Sequence, residues 1–248
     1  IVKREWLSLP ALRAADGYLN NDPNHRDKTF FCFDEKHGHR AGEATANGVL
    51  KLDREIAEAV KADGAKAALG FGFLDSQQAF YDGYSLNASE GEWAKRRYLD
   101  PFTPVIARAE VRRARRDMNQ ALLNRFNIAF DLNFHGSQLK DYPHIAEYGR
   151  RIKALRERYA AELWNAEFVE RQGAQVNGPD LSYSVFAGRN GKRAVVVVNM
   201  GTERASKAEV TLPGASAMAY ASPEDPAQKT FGGSVEIAPQ SAVVIFEK

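Results

Sequence analysis

The feature that most constrains the fold of this chain is a change in hydrophobic pattern near residue 173. Before that point, continuous apolar runs alternate with segments that carry apolar residues at helical spacing. After it, short apolar runs are separated by Gly, Pro, Asn and Ser. Alternating strands and helices are typical of a parallel sheet, whereas short strands between turns are typical of antiparallel sheets. The sequence therefore predicts an α/β part followed by an all-β part.

The first part alternates strand and helix four times, after a weakly patterned stretch over residues 1–28. Its strands are predicted at 29–34, 66–73, 102–109 and 127–134. Its helices are predicted at 47–63, 111–126 and 145–168, and 76–100 is predicted to be an aromatic loop with short helices. Four strand–helix units are half of an eight-stranded (β/α)8 barrel. A half barrel would expose two apolar edges, so we expect the other half to precede Ile1; an open sheet is the alternative.

The second part is predicted to be a small antiparallel β-sandwich. Its strands are expected at 181–186, 193–199, 208–212, 218–221, 234–237 and 242–246. Asn190-Gly191 is a strong hairpin signal, because both residues tolerate the left-handed backbone that a tight turn requires. The predicted fold class is therefore α/β, with a (β/α) TIM-barrel portion at 1–173 and a β-sandwich domain at 174–248.

Charge, hydrophobic runs and cysteine content give no indication of a nucleic-acid-binding, membrane-spanning or disulfide-rich protein. The 34 basic and 32 acidic residues give a net charge of +2, which provides no reason to expect binding to nucleic acid or to an anionic membrane. No apolar run approaches the ~20 residues needed to span a bilayer. Cys32 is the only cysteine in this sequence, so no disulfide can form within it. The cysteine content therefore does not indicate a cellular compartment.

Carboxylates lie at the ends of the predicted strands, where a parallel sheet would bring them to one face. The candidate catalytic residues are Asp34, Glu35, Glu43, Asp75 and Asp131. Glycoside hydrolysis needs two such groups, one protonated to assist the leaving oxygen and one ionised to attack the sugar or activate water. Within its strand Asp131 has apolar neighbours, so a barrel-facing position would desolvate it. The simpler alternative is that these residues cap helices.

A second set of residues could bind a sugar. His37, His39 and Arg40 follow the first predicted strand, and His135 follows the last. Tyr81 and Trp93 could stack on a sugar ring, or they could be core residues under a loop. His37, His39 and His135 could instead ligate a metal, as in metal-dependent hydrolases, and a purely structural role in the loop is a further alternative.

Several stretches together resemble the C-terminal half of a retaining-type glycoside hydrolase. They are FDEKHGHRAGE, ALGFGFLD, IAFDLNF, YPHIAEYGRRIKALRE and VFAGRNGKRAVVVVN. The layout is similar to α-galactosidase-like barrels and related uncharacterised bacterial glycosidases, in which a β-sandwich follows a (β/α)8 barrel. The resemblance implies a nucleophile and an acid/base at Asp34 and Asp75, with Glu35 and Glu43 as substitutes. In such families the nucleophile is usually on the fourth strand, which by this count lies upstream of Ile1.

We therefore predict a glycosidase that cleaves an oligo- or polysaccharide with two carboxylates and needs no cofactor. Its partner would be a carbohydrate substrate, and it would need an N-terminal barrel half missing from this chain. A secreted or periplasmic location would suit a polysaccharide-degrading enzyme. The alternatives are a metal-dependent hydrolase and a non-catalytic carbohydrate-binding fragment.

Overall fold

The structure, a computed structural model, describes most of the chain in segments. The described residues are 14–20, 31–34, 36, 40–44, 46–64, 66–71, 79–86, 97–98, 100–132 and 138–248. They group into two compact units. The first unit comprises 1–87 with 103–106, and the second comprises 88–102 with 107–248. The predicted boundary between residues 173 and 174 falls within the second unit and stays a prediction.

The first unit is built on parallel strands. They are β1 (Gly17–Asn20), β4 (Ala67–Phe71) and β5 (Gly83–Leu86), followed by the start of β6 (Val105–Glu110). β1 pairs in parallel with β4, and β4 pairs in parallel with β5. The parallel sheet predicted for this part of the chain is therefore present, although two of its strands, β1 and β5, were not predicted as strands.

Helix α1 (Ala46–Ala62) connects this region to β4 and matches the predicted helix closely. Ile56, Ala57 and Val60 are buried at the helical spacing that the sequence showed. The helix begins and ends one residue before its predicted bounds. Gly64 has a φ of 86°, the left-handed conformation that glycine adopts without strain after a helix.

The strand predicted at 29–34 is not part of the parallel sheet. Among its described residues, 31–34, the structure has the short strand β2 (Phe31–Cys32), which pairs antiparallel with β3 (Glu43–Ala44). Phe33 is 73% exposed, so the apolar run does not continue into a core. The physical reason is topological: two antiparallel strands can be joined by a short connection, whereas parallel neighbours need a longer crossover. The expectation that Asp34 follows a barrel strand is therefore wrong.

After residues 88–102, the described part of the second unit contains the remainder of β6, three α-helices and the strand β7. A 3-10 turn at Val111–Arg113 leads into α2 (Ala114–Leu123), and β7 (Asn127–Asp131) lies next to β6 in the strand order. The long helix predicted at 145–168 is in fact α3 (Pro143–Arg158) and α4 (Ala160–Leu163), followed by a short strand. Tyr159 separates them with φ −116° and ψ 41°, outside the helical region.

The rest of the second unit consists of antiparallel sheets. The strands are β8 (Glu167–Phe168), β9 (Gln175–Asn177), β10 (Leu181–Ala187), β11 (Arg193–Asn199), β12 (Ser206–Thr211), β13 (Met218–Ala221), β14 (Lys229–Thr230), β15 (Ser234–Ile237) and β16 (Ala242–Glu247). They form a six-stranded sheet in the order β14-β13-β16-β11-β10-β8 and a three-stranded sheet in the order β15-β12-β9. The predicted hairpin joins β10 to β11, with Gly191 at a φ of 79°.

Strand β11 is buried on both faces because each face belongs to a different core. Val196 and Val198 pack in a cluster with residues of α2 and α3, including Met118 and Ile152. Val195 and Val197 pack in a second cluster with residues of β12, including Val210. This explains why β11 is apolar throughout instead of alternating with polar residues. Across the described residues, no helix is long and apolar enough to cross a bilayer.

Candidate functional site

The candidate site lies on the face of β6 and β7 that is turned away from the helices. Successive side chains of a strand point to opposite faces. Ala109 of β6 belongs to the helix-side core, and Ile128 and Phe130 of β7 pack against that core. Arg108 and Asp131 are therefore on the opposite face of their strands. In a (β/α) barrel, the face away from the helices is the barrel interior.

Arg108 and Asp131 form an ion pair near the C-terminal ends of the two strands. The distance from Arg108 Nη2 to Asp131 Oδ2 is 2.9 Å. The two groups differ in exposure: the Asp131 side chain is 3% exposed and the Arg108 side chain 24%. A charge-assisted hydrogen bond of this length stabilises the carboxylate, while the guanidinium stays partly in contact with water.

The two carboxylate oxygens of Asp131 differ in their contacts. Among the described residues, Oδ1 of Asp131 is buried and has no hydrogen-bond partner. A buried carboxylate oxygen normally accepts a hydrogen bond, and leaving it without one costs free energy. The site can therefore accept a hydrogen bond from a ligand hydroxyl at Oδ1 while Arg108 holds Oδ2. The adjacent residues 133–137 lie outside the described part of the chain.

Two other acidic residues near the end of β6 have structural roles. Asp117 of α2 accepts a hydrogen bond from the backbone N–H of Glu110 at 3.0 Å. The Nε atom of Arg113 lies 3.4 Å from Oε2 of Glu110 and 3.4 Å from Oδ2 of Asp117. Burial raises the pKa of Asp117, and the backbone hydrogen bond opposes that shift. Asp117 thus ties the end of β6 to the start of α2.

Residues of the loop predicted to be the centre of the site are only partly described. Asp34 is exposed, and its Oδ1 accepts a hydrogen bond from the backbone N–H of Lys36 at 2.9 Å, a local turn contact. Arg40 is also exposed. Glu43 lies in β3, opposite Cys32. Of the predicted residues, Glu35, His37, His39, Asp75, Trp93 and His135 lie outside the described residues.

Tyr81 is buried in the first unit. It is 5% exposed and packs against Phe80 and Tyr84 at centroid distances of 4.8 and 6.2 Å. Asn20 donates to the Tyr81 hydroxyl at 3.1 Å and to Asp53 Oδ1 at 2.9 Å. Burial raises the pKa of Tyr81. The position fits the alternative of a core residue under a loop better than that of a platform for sugar stacking.

Sequence reasoning did not identify Arg108 as a site residue. The signal was the period of the strand: Arg108 lies between Ala107 and Ala109, which are buried, so a cation falls on the face opposite the core. As for a metal centre, the described part of the chain contains no group of three His, Cys, Asp or Glu side chains that could hold an ion. The predicted ligands His37, His39 and His135 lie outside it.

Sequence comparison assigns no family to this chain. No protein-family model matches it, and no curated protein matches it in sequence. Solved structures do share its fold.

The first of these structures is a GH27 β-L-arabinopyranosidase from Geobacillus stearothermophilus. It is similar at a TM-score of 0.52 and 12% identity, over 79% of this chain and 54% of that one. A noncanonic maltogenic α-amylase from Thermotoga neapolitana is similar at a TM-score of 0.52 and 7% identity, over 79% of this chain and 58% of that one.

An α-amylase from H. orenii gives a TM-score of 0.51 and 9% identity, over 100% of this chain and 63% of that one. The chain therefore spans between about half and two thirds of the length of these relatives. At such identities the likeness concerns the fold alone. The chain has a mixed α/β architecture like that of these glycoside-cleaving enzymes, with parallel strands followed by antiparallel sheets.

Proposed function

We propose that this chain is part of a glycoside hydrolase, and that Asp131 and Arg108 lie in its sugar-binding cleft. The observation that carries the proposal is the buried Asp131 carboxylate, with Oδ2 held by Arg108 and Oδ1 without a partner among the described residues. The face it occupies is the one that lines the interior of a barrel. In barrel enzymes, residues at the C-terminal ends of strands form the active site.

The proposed architecture is a (β/α) barrel portion followed by a β-sandwich, with the barrel completed by a further segment. The parallel pairing of β1, β4 and β5 and the α/β order support the barrel portion. The two antiparallel sheets and the apolar cluster that they share support the sandwich. The likeness to longer glycoside-cleaving enzymes supports the completion by another segment.

We assign Asp131 the role of the ionised group. Arg108 lies 2.9 Å from Oδ2, and the Asp131 carboxyl group would accept a hydrogen bond from a sugar hydroxyl or stabilise the positive charge of the transition state. The second carboxylate would be the proton donor. Asp34, Glu35, Glu43 and Asp75 stay as candidates for it. His37, His39, Arg40, Trp93 and His135 stay as candidates for holding the sugar.

The test is a set of carboxylate-to-amide variants in the natural full-length protein, assayed on a panel of aryl glycosides. We expect Asp131→Asn and Asp75→Asn each to lower kcat/KM at least ~100-fold, the scale of a general acid/base or charge-stabilising contact. Asp34→Asn tests the assignment that the resemblance implied. Asp117→Asn is the matched control, because Asp117 is also buried but accepts a hydrogen bond from the Glu110 backbone N–H at the end of β6. Circular dichroism must show that each variant is folded.

Turnover unchanged in Asp131→Asn would contradict the proposed role of that residue. Binding of sugars by calorimetry, without turnover and with no effect of Asp75→Asn, would favour the carbohydrate-binding alternative. Activity that is lost on chelation and restored by a divalent metal would favour the metal-dependent hydrolase.

A further inference from the structure

Two loops of the antiparallel sheets contact the first two turns of α2. Arg115 donates from Nε to the carbonyl oxygen of Gln240, in the loop between β15 and β16, at 2.8 Å. Its Nη2 donates to Ser241 Oγ at 3.1 Å and to Oε1 of Glu224, in the loop between β13 and β14, at 2.5 Å. Asn119, one turn further along α2, donates from Nδ2 to the same Gln240 carbonyl at 2.8 Å. These hydrogen bonds join the start of α2 to both loops.

The contact between α2 and the loops is largely buried and has a fixed geometry. The Arg115 guanidinium lies 3.9 Å from the centre of the Tyr148 ring, and the Tyr148 hydroxyl donates to Asn119 Oδ1 at 2.5 Å. Asn119 is 0% exposed. Gln240 has a φ of 50°, a left-handed conformation that residues other than glycine adopt where the surrounding contacts determine it. The turn therefore holds the Gln240 carbonyl in the place where α2 donates to it.

The same part of α2 also holds the end of β6. Asp117, two residues after Arg115, accepts a hydrogen bond from the backbone N–H of Glu110 at 3.0 Å. Glu110 is the last residue of β6, and Arg108, two residues earlier in that strand, lies 2.9 Å from Asp131 Oδ2. A continuous series of hydrogen bonds and short backbone segments therefore connects the two loops, through α2 and β6, to the carboxylate of Asp131.

We propose that Arg115 is a positioning residue for Asp131, through which the loops of the antiparallel sheets hold the end of β6 in place. Arg115 acts through Asp117 and Arg108 and does not contact the sugar itself. Without Arg115, the end of β6 could shift and move Arg108 relative to Asp131. Displacements of about 1 Å far from the reacting atoms can lower enzymatic rates by as much as ~100-fold. The inference rests on the proposed glycosidase function, and it gives the antiparallel sheets a role in catalysis as well as in stability.

The test is a double-mutant cycle in the natural full-length protein, with kcat/KM for an aryl glycoside as the readout. We expect Arg115→Met to lower kcat/KM roughly tenfold in the natural protein but less than about twofold in Asp131→Asn, because a residue that acts through Asp131 has no further effect once that carboxylate is removed. Arg116→Met, at an exposed neighbouring position, is the matched control and should change kcat/KM less than about twofold. Equal losses from Arg115→Met in both backgrounds, as a general loss of stability would give, would overturn the proposal.

The cycle also separates this inference from the proposed function. Hydrolysis that falls in Asp131→Asn but not in Arg115→Met would overturn the positioning role alone. Absence of hydrolysis by the natural protein would overturn the proposed function, on which the positioning role rests.

Amide hydrogen exchange gives a second readout that needs no enzymatic activity. The backbone N–H of Glu110 should exchange roughly tenfold faster in Arg115→Met than in Arg116→Met, while the N–H of Val196, in the buried strand β11, should exchange equally in both. Glu224→Ala removes a single acceptor whose side chain is 38% exposed, so it leaves the core intact and should speed exchange at Glu110 by a smaller factor. Unchanged exchange at Glu110 in both Arg115→Met and Glu224→Ala would overturn the proposal, as would equal acceleration at Glu110 and Val196.

Discussion

Removing either member of the Arg108–Asp131 pair should destabilise the second unit by unequal amounts. In Arg108→Met, the Asp131 carboxylate keeps its 3% exposure but loses its cation, and breaking a buried ion pair in this way costs about 3–5 kcal/mol. In Asp131→Asn, the guanidinium is 24% exposed and can be hydrated, and the amide oxygen can still accept its hydrogen bond. We expect a cost of about 1–3 kcal/mol for that variant.

The assay is urea denaturation at pH 7, followed by circular dichroism. The double variant Arg108→Met/Asp131→Leu should be more stable than Arg108→Met alone, because no unpaired charge then stays buried. The single variant Asp131→Leu completes the double-mutant cycle. Two results would contradict a buried ion pair. One is a loss of less than about 0.5 kcal/mol in Arg108→Met, the range of an exposed pair. The other is a double variant whose loss equals the sum of the losses in Arg108→Met and Asp131→Leu.

Other predictions concern the core and pH dependence of the second unit. The hydrogen bond from Arg193 lowers the pKa of Glu247 below 4.5. The ionised Glu247 therefore stabilises the folded protein above pH 4.5, and this contribution is lost as the pH falls through the lowered pKa. Glu247→Gln should therefore lower Tm at pH 7, with a difference that shrinks in acid. Tyr148→Phe removes the donor to buried Asn119 Oδ1, at 2.5 Å, and should cost about 1–3 kcal/mol by urea titration. Ile152→Ala, at 0% exposure, should cost about 2–5 kcal/mol; a cost below 1 would contradict the packing described.

Elements with strong periodicity could be predicted from the sequence. The strands at 193–199, 218–221 and 234–237 have the predicted bounds, and α1 differs from its prediction by one residue. The strand at 193–199 contains one continuous apolar run, the strand at 234–237 alternates apolar with polar residues, and α1 has apolar residues at helical spacing, so local pattern and tertiary packing agree. The helix at 145–168 was predicted too long, because Tyr159 and Leu163 continue the apolar stripe past the break.

Elements whose identity depends on distant partners could not be predicted. β1 and β5 are short, begin with glycine and become strands through pairing with β4. The run at 29–34 has strong strand propensity, yet its pairing with β3 is antiparallel and local. Strand propensity shows that a segment can pair, but not with which partner or in which direction.

The candidate site was predicted in part. Asp131 was identified by its apolar neighbours, and its burial agrees with that argument. Arg108 was missed, because the sequence does not show which strand lies beside β7. Asp34 was predicted from a strand that does not join the parallel sheet, so its place beside a second carboxylate rests on the family resemblance alone.

The role of Asp131 in glycoside hydrolysis is tested most simply by measuring hydrolysis of a glycoside panel by the natural full-length protein and by its Asp131→Asn variant. The assay measures the release of reducing ends under the same conditions for both proteins. We expect turnover of at least one glycoside by the natural protein and a loss of roughly 100-fold in the folded variant. No hydrolysis of any glycoside by the natural protein, or equal hydrolysis by the two proteins, would contradict it.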